Sequence, residues 1–222
     1  MLNKITFLII YLVVFPTIGK ADKPTDSVYL EGHKSNTALI LAHGKGKHPT
    51  WLVVDPLRKA INEKLNYHTL SLQMPIGHDF WEDYAEDFPK AYTIIEEGIR
   101  FLREEKGVKS VYLMGHSMGS RMVSAYIAKH PNHTISGLII AGCRNNGAHP
   151  LSCDDNMRNI KIPVLDIWGN ASGKDYDAAA DRTHLMSDQY QQVSISGGDH
   201  RFRNHEDEFV SAVASWLRKQ AP

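Results

Sequence analysis

The chain has 222 residues, enough for one domain with a sizeable core, and its 25 Lys and Arg residues balance its 25 Asp and Glu residues. That balance leaves no basic stripe able to follow a nucleic-acid backbone, and the cluster Lys45, Lys47, His48 is too short to serve as one. Low-complexity segments and internal repeats are absent from the sequence, which has the composition of an ordinary globular protein.

The N-terminus differs from the rest. Lys4 precedes a continuous apolar or weakly polar run, Ile5 to Ile18, interrupted only by Pro16. Gly19-Lys20-Ala21 then places small residues at the −3 and −1 positions of a cleavage site. The pattern predicts a secretory signal peptide over residues 1–21, leaving a domain over residues 22–222. The run is shorter than the roughly 20 residues of a membrane span, and Pro16 would break a spanning helix, so no stable membrane insertion is expected after cleavage. The expected destination is the periplasm or the exterior. In such a compartment the two cysteines, Cys143 and Cys153, are expected to form a disulfide. Two thiols without a second Cys/His pair do not make a zinc site, and the sequence points to no metal and no cofactor.

The first expected strand is Val28 to Leu30, at an edge. Thr37 to Leu41 is a continuous apolar run, the mark of a strand buried on both faces, and it ends in the glycine-rich loop Ala42-His43-Gly44-Lys45-Gly46. Asp55-Pro56 opens a helix to Leu65, with Pro56 at its first position. His68 to Leu72 is the next strand. Phe88-Pro89 opens a long amphipathic helix to Lys106, whose apolar face reads Ala91, Ile94, Ile95, Ile99 and Leu102, and Gly107 caps it. A strand from Val111 to Met114 runs into Gly115-His116-Ser117-Met118-Gly119, followed by a helix from Ser120 to Lys129. Ile135 to Ala141 and Pro163 to Trp168 are further buried strands. A helix is expected within Ala178 to Met186, then a last strand, Gln192 to Ile195. Asn204 is expected to cap the final helix, whose buried stripe is Phe209, Val213, Trp216 and Leu217.

Strands alternating with helices predict a mostly parallel sheet with helices on both faces, in which ligands bind beyond the carboxyl ends of the strands. The loops that carry chemistry all fall at such ends. Strand, G-x-S-x-G and helix in succession form a nucleophile elbow, in which tight glycine-flanked geometry aims the Ser117 hydroxyl out of the sheet. A serine hydroxyl needs a base, and the base an orienting carboxylate. His200, in the loop Ser196-Gly197-Gly198-Asp199-His200 after the last strand, is the expected base, ahead of His205 and His184. The acid is expected in the loop after Trp168, with Asp175 first and Asp177 the runner-up. Asp166, inside its strand, reads as a structural hydrogen-bonding group, and Asp199 sits too close to His200 in the chain to reach back to it. The backbone N–H groups of Met118 and Lys45 are the expected oxyanion donors. Phe80, Trp81, Tyr84 and Phe88 either line an acyl pocket or, for most of them, pack the long helix on the sheet.

On these residues the chain resembles the α/β-hydrolase superfamily over Ser27 to Pro222. More narrowly, it resembles a bacterial exported subgroup of that fold catalogued as a domain of unknown function. The resembling segments are Trp81 to Tyr84 with Phe88 to Ala91, Gly115 to Gly119, Pro163 to Gly169, and Gly198 to Phe202. The resemblance implies the fold, export and a Ser-Asp-His layout, and no particular substrate. Many superfamily members carry the acid three residues after the strand-terminal glycine; here that position is Ser172. Only Gly142 to Ile162 separates two strands where relatives insert a helical cap, so a lidless, open site is expected, stiffened by the cysteine pair. The reading implied is a serine hydrolase acting on an ester or thioester as a small-molecule or acyl substrate. The alternatives are a peptidase or amidase of the same fold and a catalytically degenerate exported binding protein.

Overall fold

The computed structural model describes residues 20–220. The predicted signal peptide therefore lies outside the described residues, apart from Lys20 and Ala21; Ala21 is buried and its N–H donates to Glu105 Oε1 at 2.8 Å.

Seven strands form one sheet: β1 (Val28–Leu30), β2 (Thr37–Ala42), β3 (His68–Leu72), β4 (Ser110–His116), β5 (Gly137–Ala141), β6 (Val164–Gly169) and β7 (Tyr190–Ile195). Their order is β1-β3-β2-β4-β5-β6-β7, and every pairing is parallel except the antiparallel edge pair β1–β3. The helices are α1 (Val54–Leu65), α2 (Phe88–Glu104), α3 (Met118–Lys129), α4 (Cys153–Met157), α5 (Gly173–Asp181) and α6 (Glu206–Gln220). Two 3-10 turns, Glu82–Asp87 and Thr183–Leu185, complete the elements.

The sheet divides the core. Along β2, Ala38, Ile40 and Ala42 point to the side covered by α2 and α3, while Leu39 and Leu41 point to the side of α1 and α6. Both faces are covered, which is why the central strands are apolar throughout rather than alternating. From β2 the chain winds outward to β3 in one direction, and from β4 through β7 in the other. The reversal falls between β2 and β4, paired in register from Thr37↔Ser110 to Ala42↔Gly115. A crevice opens beyond the carboxyl ends of strands at such a reversal, here between the loops that follow Ala42 and His116.

Three local expectations are corrected. The buried face of α2 is Phe88, Ala91, Tyr92, Ile95, Gly98, Phe101 and Leu102; Ile94 and Ile99 lie at its margin, and Gly98 packs directly on the sheet, where a Cβ would stand 3.1 Å from Leu72 and 3.2 Å from Leu70. Asn204 does not cap α6: its φ of 61° places it in the turn before the helix, and His205 supplies the carbonyl that accepts from Phe209 N–H at 3.1 Å. Helix α5 begins at Gly173, five residues earlier than expected, and ends at Asp181.

Asp166 has the structural role its position in β6 suggests. Arg182 grips it bidentately, Nε to Oδ2 and Nη2 to Oδ1, both at 3.0 Å; Tyr190 OH and Gln192 Nε2 also donate to Oδ2. Both charged side chains are about fully buried. The other arm of Arg182 donates to Cys143 O (3.0 Å) and Asn145 Oδ1 (2.6 Å), so the ion pair also fixes the loop after β5. Removing one partner of a buried pair strands the other charge. Arg182→Met is therefore expected to lower stability by about 3–5 kcal/mol, on the order of 10 °C in Tm, by thermal unfolding. A shift of a degree or two would contradict this account of the network.

Candidate active site

The turn after β4 is set by backbone contact. A Cβ on Gly119 would stand 2.2 Å from Ala42 O, and one on Gly115 2.4 Å from Gly119 C and O. Only glycine fits either position, so α3 starts directly against β2 and Ser117 must turn sharply between strand and helix. Its φ of 56° and ψ of −114° are strained for a residue with a side chain. Ser117 N–H donates to Ala141 O at 2.8 Å. Beneath it, Ser120 Oγ donates to Gly115 O (2.5 Å) and accepts from Ala141 N–H (3.0 Å), tying the turn to β5.

Ser117, His200 and Asp175 form one hydrogen-bonded chain. His200 Nε2 lies 3.0 Å from Ser117 Oγ, and His200 Nδ1 lies 2.5 Å from Asp175 Oδ2. These residues come from the ends of three strands, β4, β6 and β7, more than 80 positions apart for Ser117 and His200. The Asp175 side chain is fully buried in the first turn of α5. Burial alone would raise its pKa, but the hydrogen bond and charge of His200, and then those of Arg144, bring it down to about 2. Asp175 is thus a carboxylate throughout the neutral range.

The rival residues lie elsewhere. Asp177 lines the cleft and has no bond to His200. Asp199 caps its own loop, accepting from Arg201 N–H and Arg203 N–H at Oδ1 and from Arg203 Nε at Oδ2. His205 pairs with Glu208, and His184 sits in the 3-10 turn after α5, its Nδ1 on Asp181 O.

Two site residues carry no clear sequence signal. Arg144 Nε donates to Asp175 Oδ1 at 2.7 Å, occupying the carboxylate oxygen that His200 leaves free. Gly142 has φ 57°, and a Cβ there would stand 3.0 Å from His200 Nδ1 and 3.3 Å from Asp175 Oδ2, so its bareness makes room for the His–Asp contact. The loop containing both is tied to α4 by the Cys143–Cys153 disulfide, as expected from the sequence, with a Cα–Cα distance of 6.0 Å.

The loop after β2 faces Ser117 from the other side. A Cβ on Gly44 would be 3.2 Å from Ser117 Cβ. The Gly44 carbonyl accepts from His43 Nδ1–H (2.9 Å) and Lys47 N–H (3.2 Å). Because the peptide is trans and planar, holding that carbonyl aims Lys45 N–H in the opposite direction. His43 Nε2 in turn accepts from Met74 N–H at 3.0 Å, which fixes the tautomer. Lys45 and Met118, with Ser117, line a cleft of about 560 Å³.

The aromatic quartet divides. Tyr84 and Phe88 are in the core, Trp81 lines the cleft, and Phe80 is exposed. Between β5 and β6 stands only the five-residue α4, and among the described residues no cap covers the cleft.

The sheet order, the flanking helices and the turn at Ser117 define the α/β-hydrolase fold. Solved structures agree: Est1E from Butyrivibrio proteoclasticus with ferulic acid bound (17% identity, 87% of this chain and 94% of that one, TM-score 0.72), and a lidless α/β serine hydrolase from Xanthomonas campestris (15%, 90% and 93%, 0.69). A dienelactone hydrolase from Anabaena variabilis is also similar (15%, 87% and 90%, 0.71). Within that fold, the chain belongs to the family described as protein of unknown function (DUF3530), whose model matches residues 84–219. A search of curated proteins finds no match.

Two buried imidazoles brace the site in their neutral forms. His116 Nε2–H donates to His200 O at 2.8 Å, holding the His200 loop over Ser117. Burial, then the neighbouring His200, lowers its pKa to about 3, and burial lowers that of His43 to about 4. Groups that resist protonation only when folded make the unfolded chain bind more protons below about pH 6.5. Their stabilisation is complete above that pH and is lost as pH falls, toward about 4 for His43 and about 3 for His116. Urea unfolding at stepped pH is expected to show stability declining from pH 6.5 downward, with a shallower slope in His116→Gln. An unchanged slope in that variant would contradict the neutral, buried assignment.

Proposed function

We propose that this protein is an exported serine hydrolase that cleaves an ester or thioester through an acyl-enzyme on Ser117. The observation that carries the reading is the hydrogen-bonded chain from Asp175 through His200 to the strained Ser117, ending at the mouth of an open cleft. In this reading His200 Nε2 takes the Ser117 proton as Oγ attacks the substrate carbonyl carbon. Charge then develops on the carbonyl oxygen, where the N–H groups of Met118 and Lys45 receive it. His200 returns its proton to the departing alcohol or thiol, leaving the acyl group on Oγ. Water, deprotonated by the same imidazole, attacks the acyl carbon; collapse releases the acid and restores the Ser117 hydroxyl. Asp175 keeps His200 in the tautomer with Nδ1–H and stabilises the imidazolium, while Arg144 holds the carboxylate still.

Support for ester chemistry also comes from the neighbours of like fold, one named a dienelactone hydrolase and another a lidless serine hydrolase. The uncovered cleft suits a substrate that needs no lid. Export is supported by the sequence pattern over residues 1–21 and by the disulfide, a bond that persists in oxidising compartments.

Purified protein assayed on a chromogenic short-chain ester is expected to lose on the order of a thousandfold or more in kcat/KM in Ser117→Ala and in His200→Ala, with no further loss in the double variant. Asp175→Ala should cost less than either, and Asp177→Ala less again. A greater loss in Asp177→Ala than in Asp175→Ala would move the acid role to Asp177. Mass spectrometry of protein recovered from the periplasm should give an N-terminus at Asp22; a chain retaining residues 1–21 would refute cleavage there.

A further inference from the structure

The cleft beside Ser117 carries positive charge that the hydrolytic steps leave unused. Lys45, Arg121, Arg144 and Lys174 line it, against the two carboxylates Asp177 and Asp181. Arg144 is matched by Asp175 at 2.7 Å. Arg121 is not matched. It is only 4% exposed, yet among the described residues its side chain donates only to neutral oxygens, Asn146 O (2.9 Å) and Asn146 Oδ1 (2.5 Å). A guanidinium has donors to spare after two such bonds. The face of Trp81 lies against it, with Arg121 Cζ 4.9 Å from the ring centroid, which fixes the plane of the fork. Burial, followed by the charge of Arg144, draws its pKa down to about 10, so it remains a cation at neutral pH; Glu82, exposed on the preceding 3-10 turn, acts in the opposite sense from beyond ion-pairing distance.

A buried cation held by neutral acceptors is costly unless an anion completes it. Among the described residues, the face of Trp81 interacts with the charge but no carboxylate pairs with it, and the Asn146 oxygens would accept equally from a neutral donor. Its position is informative. Arg121 lies in the first turn of α3, where its N–H donates to Ser117 O at 3.4 Å, and both residues line the same cleft. A group bound by the guanidinium therefore shares the cleft with the carbonyl that Ser117 would attack.

We infer that the substrate is an ester bearing a carboxylate close to its scissile carbonyl, held by the Arg121 fork against Trp81, while Asp177 and Asp181 offset the charges of Lys45 and Lys174 and leave Arg121 as the unmatched cation of the cleft. The inference rests on the hydrolase reading above and narrows its substrate class. A planar guanidinium matches a carboxylate through two parallel hydrogen bonds, which ties recognition to shape as well as charge.

The test compares two esters of equal chain length, the p-nitrophenyl monoester of glutaric acid and p-nitrophenyl pentanoate, after subtraction of uncatalysed release. A charged hydrogen-bonded pair of this kind is expected to favour the anionic ester by about tenfold or more in kcat/KM. That ratio should fall toward unity in Arg121→Gln and remain intermediate in Arg121→Lys, which keeps the charge and loses the fork. Because the readout is a ratio, a general loss of activity in a variant cancels. Raising the salt concentration should lower the ratio in the unaltered protein, which keeps the inference testable if the variants do not fold. Equal turnover of both esters, or a ratio that survives Arg121→Gln, would overturn the carboxylate assignment. Turnover of neither ester, in this assay and across a wider ester panel, would instead overturn the hydrolase reading beneath it.

Discussion

The closeness of three backbones, at the end of β2, the end of β4 and the start of α3, is the constraint on which the site depends. Ala42 O occupies the space that a side chain at position 119 would need, and the start of α3 occupies the space that one at position 115 would need. The chain between them has room for one residue in a strained conformation, and that residue is Ser117. Holding a side-chain-bearing residue there costs about 1–3 kcal/mol, which the surrounding structure must offset. Parallel pairing of β4 with β2 and β5, and the Ser120 hydroxyl shared between Gly115 and Ala141, supply the rigidity. The same closeness places the Gly44 loop against Ser117, with Lys45 beside it on the wall of the cleft.

A second layer of order reaches the site through charge. The buried pair Asp166–Arg182 holds the carbonyl of Cys143 and the side chain of Asn145. Between them in the chain is Arg144, whose guanidinium meets Asp175, and Asp175 meets His200. The disulfide from Cys143 to Cys153 restrains the same loop from the side of α4. Each group limits the freedom of the next, so the imidazole beside Ser117 is positioned by a core ion pair two loops away. The neutral His116 completes this from below by holding the His200 carbonyl, and its burial, which makes it hard to protonate, makes it a dependable donor of a single N–H.

Much of this was legible in the chain. Each of the seven strands is expected, the central ones from apolar runs, and β3 matches its expected limits, His68 to Leu72, while β7 begins two residues earlier than expected, at Tyr190. Ser117, His200 and Asp175 were accessible from chain order and from their places after strands. What stayed hidden depends on contacts between segments distant in sequence. Arg144 meets a residue 31 positions away, and Gly142 matters only for the atoms that a side chain there would strike. The early start of α5 had a signal: Ser172 and Asp175 have the spacing of a capping box. In the fold Asp175 turns inward to His200 instead of back to the helix end, while Ser172 O accepts from Asp175 N–H. The displaced face of α2 is likewise a tertiary effect, since Gly98 adds nothing to an apolar stripe and yet packs against Leu70 and Leu72 of the sheet.

The central claim is that this geometry makes one serine hydroxyl nucleophilic. Mass spectrometry of the protein after exposure to a fluorophosphonate tests it most directly, because it reports bond formation at a named atom without requiring knowledge of the substrate. The account predicts a single adduct on the peptide containing Ser117, absent from Ser117→Ala and formed far more slowly in His200→Ala. No adduct, or one of equal extent in Ser117→Ala, would contradict it.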